Sequence, residues 1–173
     1  MNTVLITVVC PDRTGLVAAI AGCLFDLGIN FSDTTFAVLG GAAELTAVCE
    51  APEGLTREHI ADQLAATSGL EDAEIRVTPF NLSPTHGPTA SVTHQVTIEG
   101  EDHPGLIARL TETLVDFNAN IVYLTAERIA GSGNPRYRIR LSVWIPQARA
   151  RACLSTLANT ASGLGMSCES ETV

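Results

Sequence analysis

Apolar residues in this chain fall into two kinds of run, and the two kinds alternate. Thr3 to Val9 is a short stretch rich in β-branched residues, and Leu16, Ala19, Ile20, Cys23, Leu24 and Leu27 follow at helical spacing along one face. The pattern predicts strand, loop, helix. Gly28 supplies a helix stop, Ile29 to Leu39 reads as extended, and Gly40-Gly41 marks a tight turn into Ala42 to Glu50, the second arm of a hairpin. Pro52 and Gly54 break the chain before a helix near Thr56 to Thr67 with Ile60, Ala61 and Leu64 inward, and Glu74 to Phe80 adds a fourth strand. The order is β-α-β-β-α-β.

The same order then recurs. A strand near Val92 to Glu99 leads to a helix with Leu106, Leu110, Leu114 and Phe117 inward, then to strands at Asn120 to Ile129 and Pro135 to Ile145. A helix carrying Ala150, Cys153, Leu154, Leu157 and Ala161 and a strand from Met166 to Thr172 close the second copy. Landmarks repeat with the elements: Asp12-Arg13-Thr14-Gly15-Leu16 returns as Asp102-His103-Pro104-Gly105-Leu106, and Asn30 as Asn120. Each copy is long enough to close its own small core, so the repeat is a duplicated domain and not a solenoid unit. We expect domains at 1–80 and 92–173, joined by a linker at 81–91 whose Asn81 to Thr89 stretch has no apolar period. Split β-α-β halves of this kind predict an α+β fold of two ferredoxin-like domains, each a four-stranded antiparallel sheet with two helices on one face.

Charge narrows the function. The net charge is −9, and residues 1–80 hold three Arg against eleven acids while 92–173 hold seven against eight; there is no Lys. Such a chain is poorly suited to capturing phosphate backbones, so direct nucleic-acid binding is not expected. No apolar run approaches the roughly 18 residues of a membrane span. The start lacks a basic stretch and a cleavage pattern, which places the expected location in the cytoplasm. Five cysteines with no C-x-x-C spacing argue against a disulfide framework or zinc ribbon. Cys10 precedes a helix start, where a thiolate is stabilised, which leaves a redox role open. No phosphate-binding loop, nucleophile elbow or H-E-x-x-H appears, and His59, His86, His94 and His103 are scattered, so neither catalysis nor a cofactor or metal is expected.

The duplicated loop is the candidate site. Its Asp can cap the following helix, its Gly admits a close approach, and free N–H groups at a helix start suit a carboxylate. Asn30 and Asn120, each beginning a strand, offer an amide that donates and accepts. A carboxylate pocket with an amide and an acid beside it describes an amino-acid site; the competing reading is that Asp is a cap and Asn a turn residue. Arg136, Arg138 and Arg140 alternate along one strand and Glu44 and Glu50 along its counterpart, pointing away from the helices. Either these stripes pair across two sheet faces or both are solvated.

The D-x-x-G-L step, the turn Leu27-Gly28-Ile29-Asn30 and the element order resemble ACT domains, over nearly the whole chain. A tandem of this size is most similar to the glycine cleavage system transcriptional repressor group. The resemblance implies effector binding by Asp12, Gly15, Leu16, Ile29 and Asn30, and by Asp102, Gly105, Leu106, Asn120 and Ile121; His103, in the second loop, is a further candidate contact beside the alternative that it is simply solvated. It departs at Thr14, where the family often has Pro, and at Asn118-Ala119-Asn120, where Asn118 must serve as the left-handed helix stop. The implied protein is a non-enzymatic regulator that binds a small amino acid between domains and signals to a protein partner, a transcription activator or a metabolic enzyme. A homodimer is expected. The alternatives are a ligand-free interaction module and a detached regulatory subunit of an enzyme.

Overall fold

The computed structural model describes residues 2–129 and 136–173. The chain divides into two compact units, residues 1–84 and 85–173. In the first, β1 (Asn2–Pro11), α1 (Leu16–Asp26), β2 (Asn30–Leu39), β3 (Ala42–Ala51), α2 (Arg57–Ala65) and β4 (Glu74–Pro79) follow in order. Its four strands form an antiparallel sheet ordered β2-β3-β1-β4. The second unit repeats this with β5 (His94–Glu101), α3 (Leu106–Asp116), β6 (Asn120–Ile129), β7 (Arg136–Trp144), α4 (Ala150–Gly163) and β8 (Ser167–Thr172), ordered β6-β7-β5-β8. Pro135, which the sequence places at the start of the seventh strand, lies outside the described residues.

Alternation builds each core. Val4, Ile6, Val8 and Cys10 of β1 and Ala43, Leu45, Ala47 and Cys49 of β3 are buried on the helix side of the sheet. Against them pack Leu16, Ile20 and Leu24 of α1, one turn apart, and Ile60 and Leu64 of α2. Ala61, expected inward, is only half-buried. The second unit uses Val96, Ile98, Ile139, Leu141 and Val143 with Leu106, Leu110, Leu114, Cys153 and Leu157. Thr113 is also buried there, its hydroxyl bonding the Arg109 carbonyl and the Thr160 hydroxyl.

Helix ends match the turn chemistry at the C-terminal side. Gly28 (φ +70°) and Asn118 (φ +54°) both take the left-handed conformation that lets the chain turn into the next strand. Helix starts do not match. Neither Asp12 nor Asp102 caps: the N-cap positions are Gly15 and Gly105, left-handed at φ +91° and +85°, with no side-chain hydrogen bond to the helix. Each Asp lies three residues before the cap, at the wrong place to reach the N2 or N3 amide.

Both edge strands carry a bulge, between Phe31 and Thr34 in β2 and between Ile121 and Tyr123 in β6. The extra residue puts Phe31, Phe36 and Val38 on one face, opposite Cys49, Leu45 and Ala43. All ten residues of β2 nevertheless remain exposed.

The outer face of the second sheet is laced with ion pairs. Arg138 Nε donates to Glu99 Oε1, Arg136 Nη2 lies 3.5 Å from Glu99, and Arg138 and Arg140 Nη1 lie 3.5 and 2.8 Å from Glu127 Oε1. The arginine stripe thus finds acids on the neighbouring strands of its own sheet, Glu99 of β5 and Glu127 of β6.

Candidate functional site

In the first unit the loop after β1 borders a cavity of about 270 Å³ lined by Asp12, Arg13, Thr14, Gly15, Leu16, Val17, Ala18 and Phe36. Three of the expected residues, Asp12, Gly15 and Leu16, therefore share one concavity. Leu16 turns its side chain into the core at 3% exposure, so what it offers the cavity is its helix-start amide. The Asp12 carboxylate is exposed and has no hydrogen-bond or ion-pair partner among the described residues. Arg13 is turned aside, its guanidinium 3.4 Å from Glu71 and packed over Gly69. The Gly69 amide also donates to Glu71, at 3.0 Å, and chiefly this bond holds the Glu71 carboxyl below the usual carboxylate range. Phe36, from the helix face of β2, forms the apolar side and was not foreseen, because its placement depends on the bulge.

Ile29 and Asn30 lie elsewhere. Asn30 stands opposite Glu50, which in turn faces Thr3, so it sits nine residues of β1 away from Asp12. At about 3.3 Å per residue that is about 30 Å. Ile29 is buried in the core, while the Asn30 amide is exposed and makes no hydrogen bond among the described residues. One fold does not bring its own Asp and Asn together.

The second unit places the same residues alike but satisfies them. Arg128 Nε and Nη2 donate to Asp102 Oδ2 at 2.9 and 2.8 Å, and the Asp102 side chain is only 27% exposed. Asn120 Nδ2 donates to the Thr89 carbonyl at 2.9 Å, in a 3-10 turn over Pro88–Ala90 at the end of the connecting segment. Glu101 Oε2 lies 3.9 Å from the exposed His103. Gly105 is the helix cap, Leu106 is buried, and Ile121 is half-buried against the core.

A larger cavity of about 630 Å³ lies at the start of α2, lined in part by Asn2, Val4, Leu55, Arg57 and Phe80. Volume favours it, but chemistry does not: Thr56 already caps that helix, its Oγ1 accepting from the His59 amide at 3.2 Å. The smaller cavity has the uncapped helix start and the unpaired acid. Cys10 offers no activated thiol: burial raises it, and Arg13 only partly opposes the rise. Among the described residues no His, Cys, Asp and Glu cluster has metal-binding geometry, and no helix is long and apolar enough to cross a membrane.

Residues 2–78 match the family model of the ACT domain. Over 99% of this chain and 98% of the other, the structure is similar to an unknown protein from Galdieria sulphuraria, with a TM-score of 0.75 and 21% identity. It is also similar to a protein provisionally described as a glycine cleavage system transcriptional repressor, with a TM-score of 0.63 and 17% identity over 99% of this chain and 97% of that one. At these identities the likeness establishes a shared fold. No curated protein matches the chain.

Proposed function

Taking the chain as a tandem of ACT-type folds whose first half is an ACT domain, we propose that it is a non-enzymatic regulatory protein that binds a small amino acid, glycine or a close relative. The observation that carries this reading is the unpaired Asp12 carboxylate beside the uncapped start of α1. A helix start offers N–H groups and positive potential to a carboxylate, and a free acid nearby offers a partner to an ammonium. An amino acid carries both groups. The cavity of about 270 Å³ lies below the 300–1,000 Å³ typical of drug-sized ligands, which favours a small side chain.

Asp12 and Asn30 stand at opposite ends of one sheet, so a site that uses both draws them from two folds. A homodimer supplies the second. Ligand bound between copies then favours one arrangement of the pair over others, and a protein partner reads that arrangement. Similarity to the provisionally described repressor supports an output in transcription of amino-acid metabolism, and the acidic composition supports acting through a protein and not on DNA.

Thermal melting with millimolar glycine, serine and the other standard amino acids tests the proposal. A ligand at about one hundred times its dissociation constant adds about 2.7 kcal/mol, a clear rise in Tm. Unchanged melting with all of them overturns it.

A further inference from the structure

We propose that the two loops have divided their labour: the first unit's loop takes the effector, while Arg128 fills the corresponding place in the second, so that the chain binds one amino acid and not two. This rests on the reading that the first loop binds an amino acid, and it adds which residue decides.

The register makes the comparison unambiguous. In β2, Thr34, Phe36 and Val38 face Ala47, Leu45 and Ala43, and in β6, Leu124, Ala126 and Arg128 face Leu141, Ile139 and Tyr137. Downstream of both bulges, Val38 and Arg128 therefore occupy the same place, on the helix side of the edge strand, beside the loop that holds Asp12 or Asp102. Val38 is a neutral side chain, half-exposed, and the guanidinium that lines the Asp12 cavity, that of Arg13, is turned to Glu71 at 3.4 Å. Arg128 sends two N–H groups to one oxygen of Asp102.

The consequence for a ligand follows from charge. An ammonium approaching Asp12 meets a free carboxylate in an open concavity with Phe36 as its apolar wall. One approaching Asp102 meets a carboxylate already neutralised and a guanidinium that repels it. Position 126 adds to the difference, because Ala126 supplies no ring where Phe36 stands in the first copy. Such an exposed pair contributes little to stability, so its role is better sought in what it excludes. The Asn pair diverges in the same sense: the Asn120 amide is bonded to Thr89, and that of Asn30 is not so engaged.

Calorimetric titration of the full chain with glycine and with serine tests this, using Val38→Arg and Arg128→Val beside the unaltered protein. We expect one ligand per chain for the unaltered protein, at least a tenfold loss of affinity for Val38→Arg with its Tm kept, and two ligands per chain for Arg128→Val. Two ligands per unaltered chain, full binding by Val38→Arg, or an unchanged count for Arg128→Val overturns the inference while leaving amino-acid binding intact. Absence of binding to the unaltered chain and both variants refutes the amino-acid reading itself, and this inference with it.

Discussion

Gly100 is where the two repeats exchange volume. Its counterpart ninety residues earlier is Cys10, buried at the end of β1, and the residue before the last strand is Ala73 in the first unit but Met166 in the second. Larger against small has become small against large. A Cβ on Gly100 would stand 2.7 Å from Met166 Cγ, 3.0 Å from its Cα and 3.1 Å from its Cβ. Carbon pairs prefer about 3.5–4.0 Å, so the contact is inside the repulsive wall by nearly 1 Å. Overpacking of this kind costs about 1–3 kcal/mol, which in a unit of this size lowers Tm by about 5–20 °C. Met166→Ala alone opens a cavity at a cost of about 2–5 kcal/mol. Combined, the two changes should cost less than their sum by about 1 kcal/mol or more, because the new methyl occupies space that Cγ vacates. Recovery is partial, since the Cα and Cβ contacts at 3.0 and 3.1 Å remain. Urea unfolding followed by fluorescence reads this unit selectively, because the single tryptophan, Trp144, lies on β7. Gly100→Ala within about 0.5 kcal/mol of the parent, or strict additivity in the double variant, would refute the reasoning.

Other outcomes follow from the same structure. Asn120→Ala, which removes the bond to Thr89, should cost about 0.5–1.5 kcal/mol of basal stability, whereas Asn30→Ala should leave basal stability nearly unchanged and abolish any ligand-induced rise in Tm. The reverse pattern in ligand-free and ligand-bound melts contradicts the assignment. The Glu99 carboxyl is held below the usual range, first by its hydrogen bond from Arg138, and a depressed carboxyl contributes stability that is present above its ordinary pKa and lost as pH falls through the folded value. Trp144-monitored melts should therefore decline below about pH 4, and Glu99→Gln should flatten that decline; an identical acid limb in both proteins counts against it. Burial pushes the Cys49 thiol up to about 11 and raises Cys10, so in the native protein at pH 8 both should label far more slowly with a disulfide reagent than the half-buried Cys23. Rapid labelling of Cys10 would restore the redox reading.

Much of the fold was legible because it rests on local rules. Alternation in Thr3 to Val9, the spacing of Leu16, Ile20 and Leu24, and the stops at Gly28 and Asn118 each act within a few residues, and repetition ninety residues on gave the duplication. What was misread depends on distance. Asp12 looked like a cap by composition, but the left-handed Gly15 takes that position three residues later. The bulges in β2 and β6 decide that Phe36 faces the cavity and that Arg128 reaches Asp102; neither bulge leaves a mark in the apolar pattern, because every residue of β2 is exposed and none of β6 is fully buried. The arginine stripe was seen, while its acids, Glu99 and Glu127, lie on two other strands and emerge only from the register. Nor does sequence spacing show that Asp12 and Asn30, eighteen residues apart in the chain, end up at opposite ends of the sheet.

The measurement that tests the central claim most directly is amide chemical-shift mapping of the full chain titrated with glycine or serine. The account predicts concentration-dependent shifts at Gly15, Leu16 and Val17 and at the Asn30 side-chain amide, with Gly105 and Leu106 still. Shifts confined to the cavity around Leu55 and Arg57, or none at any residue, would contradict it.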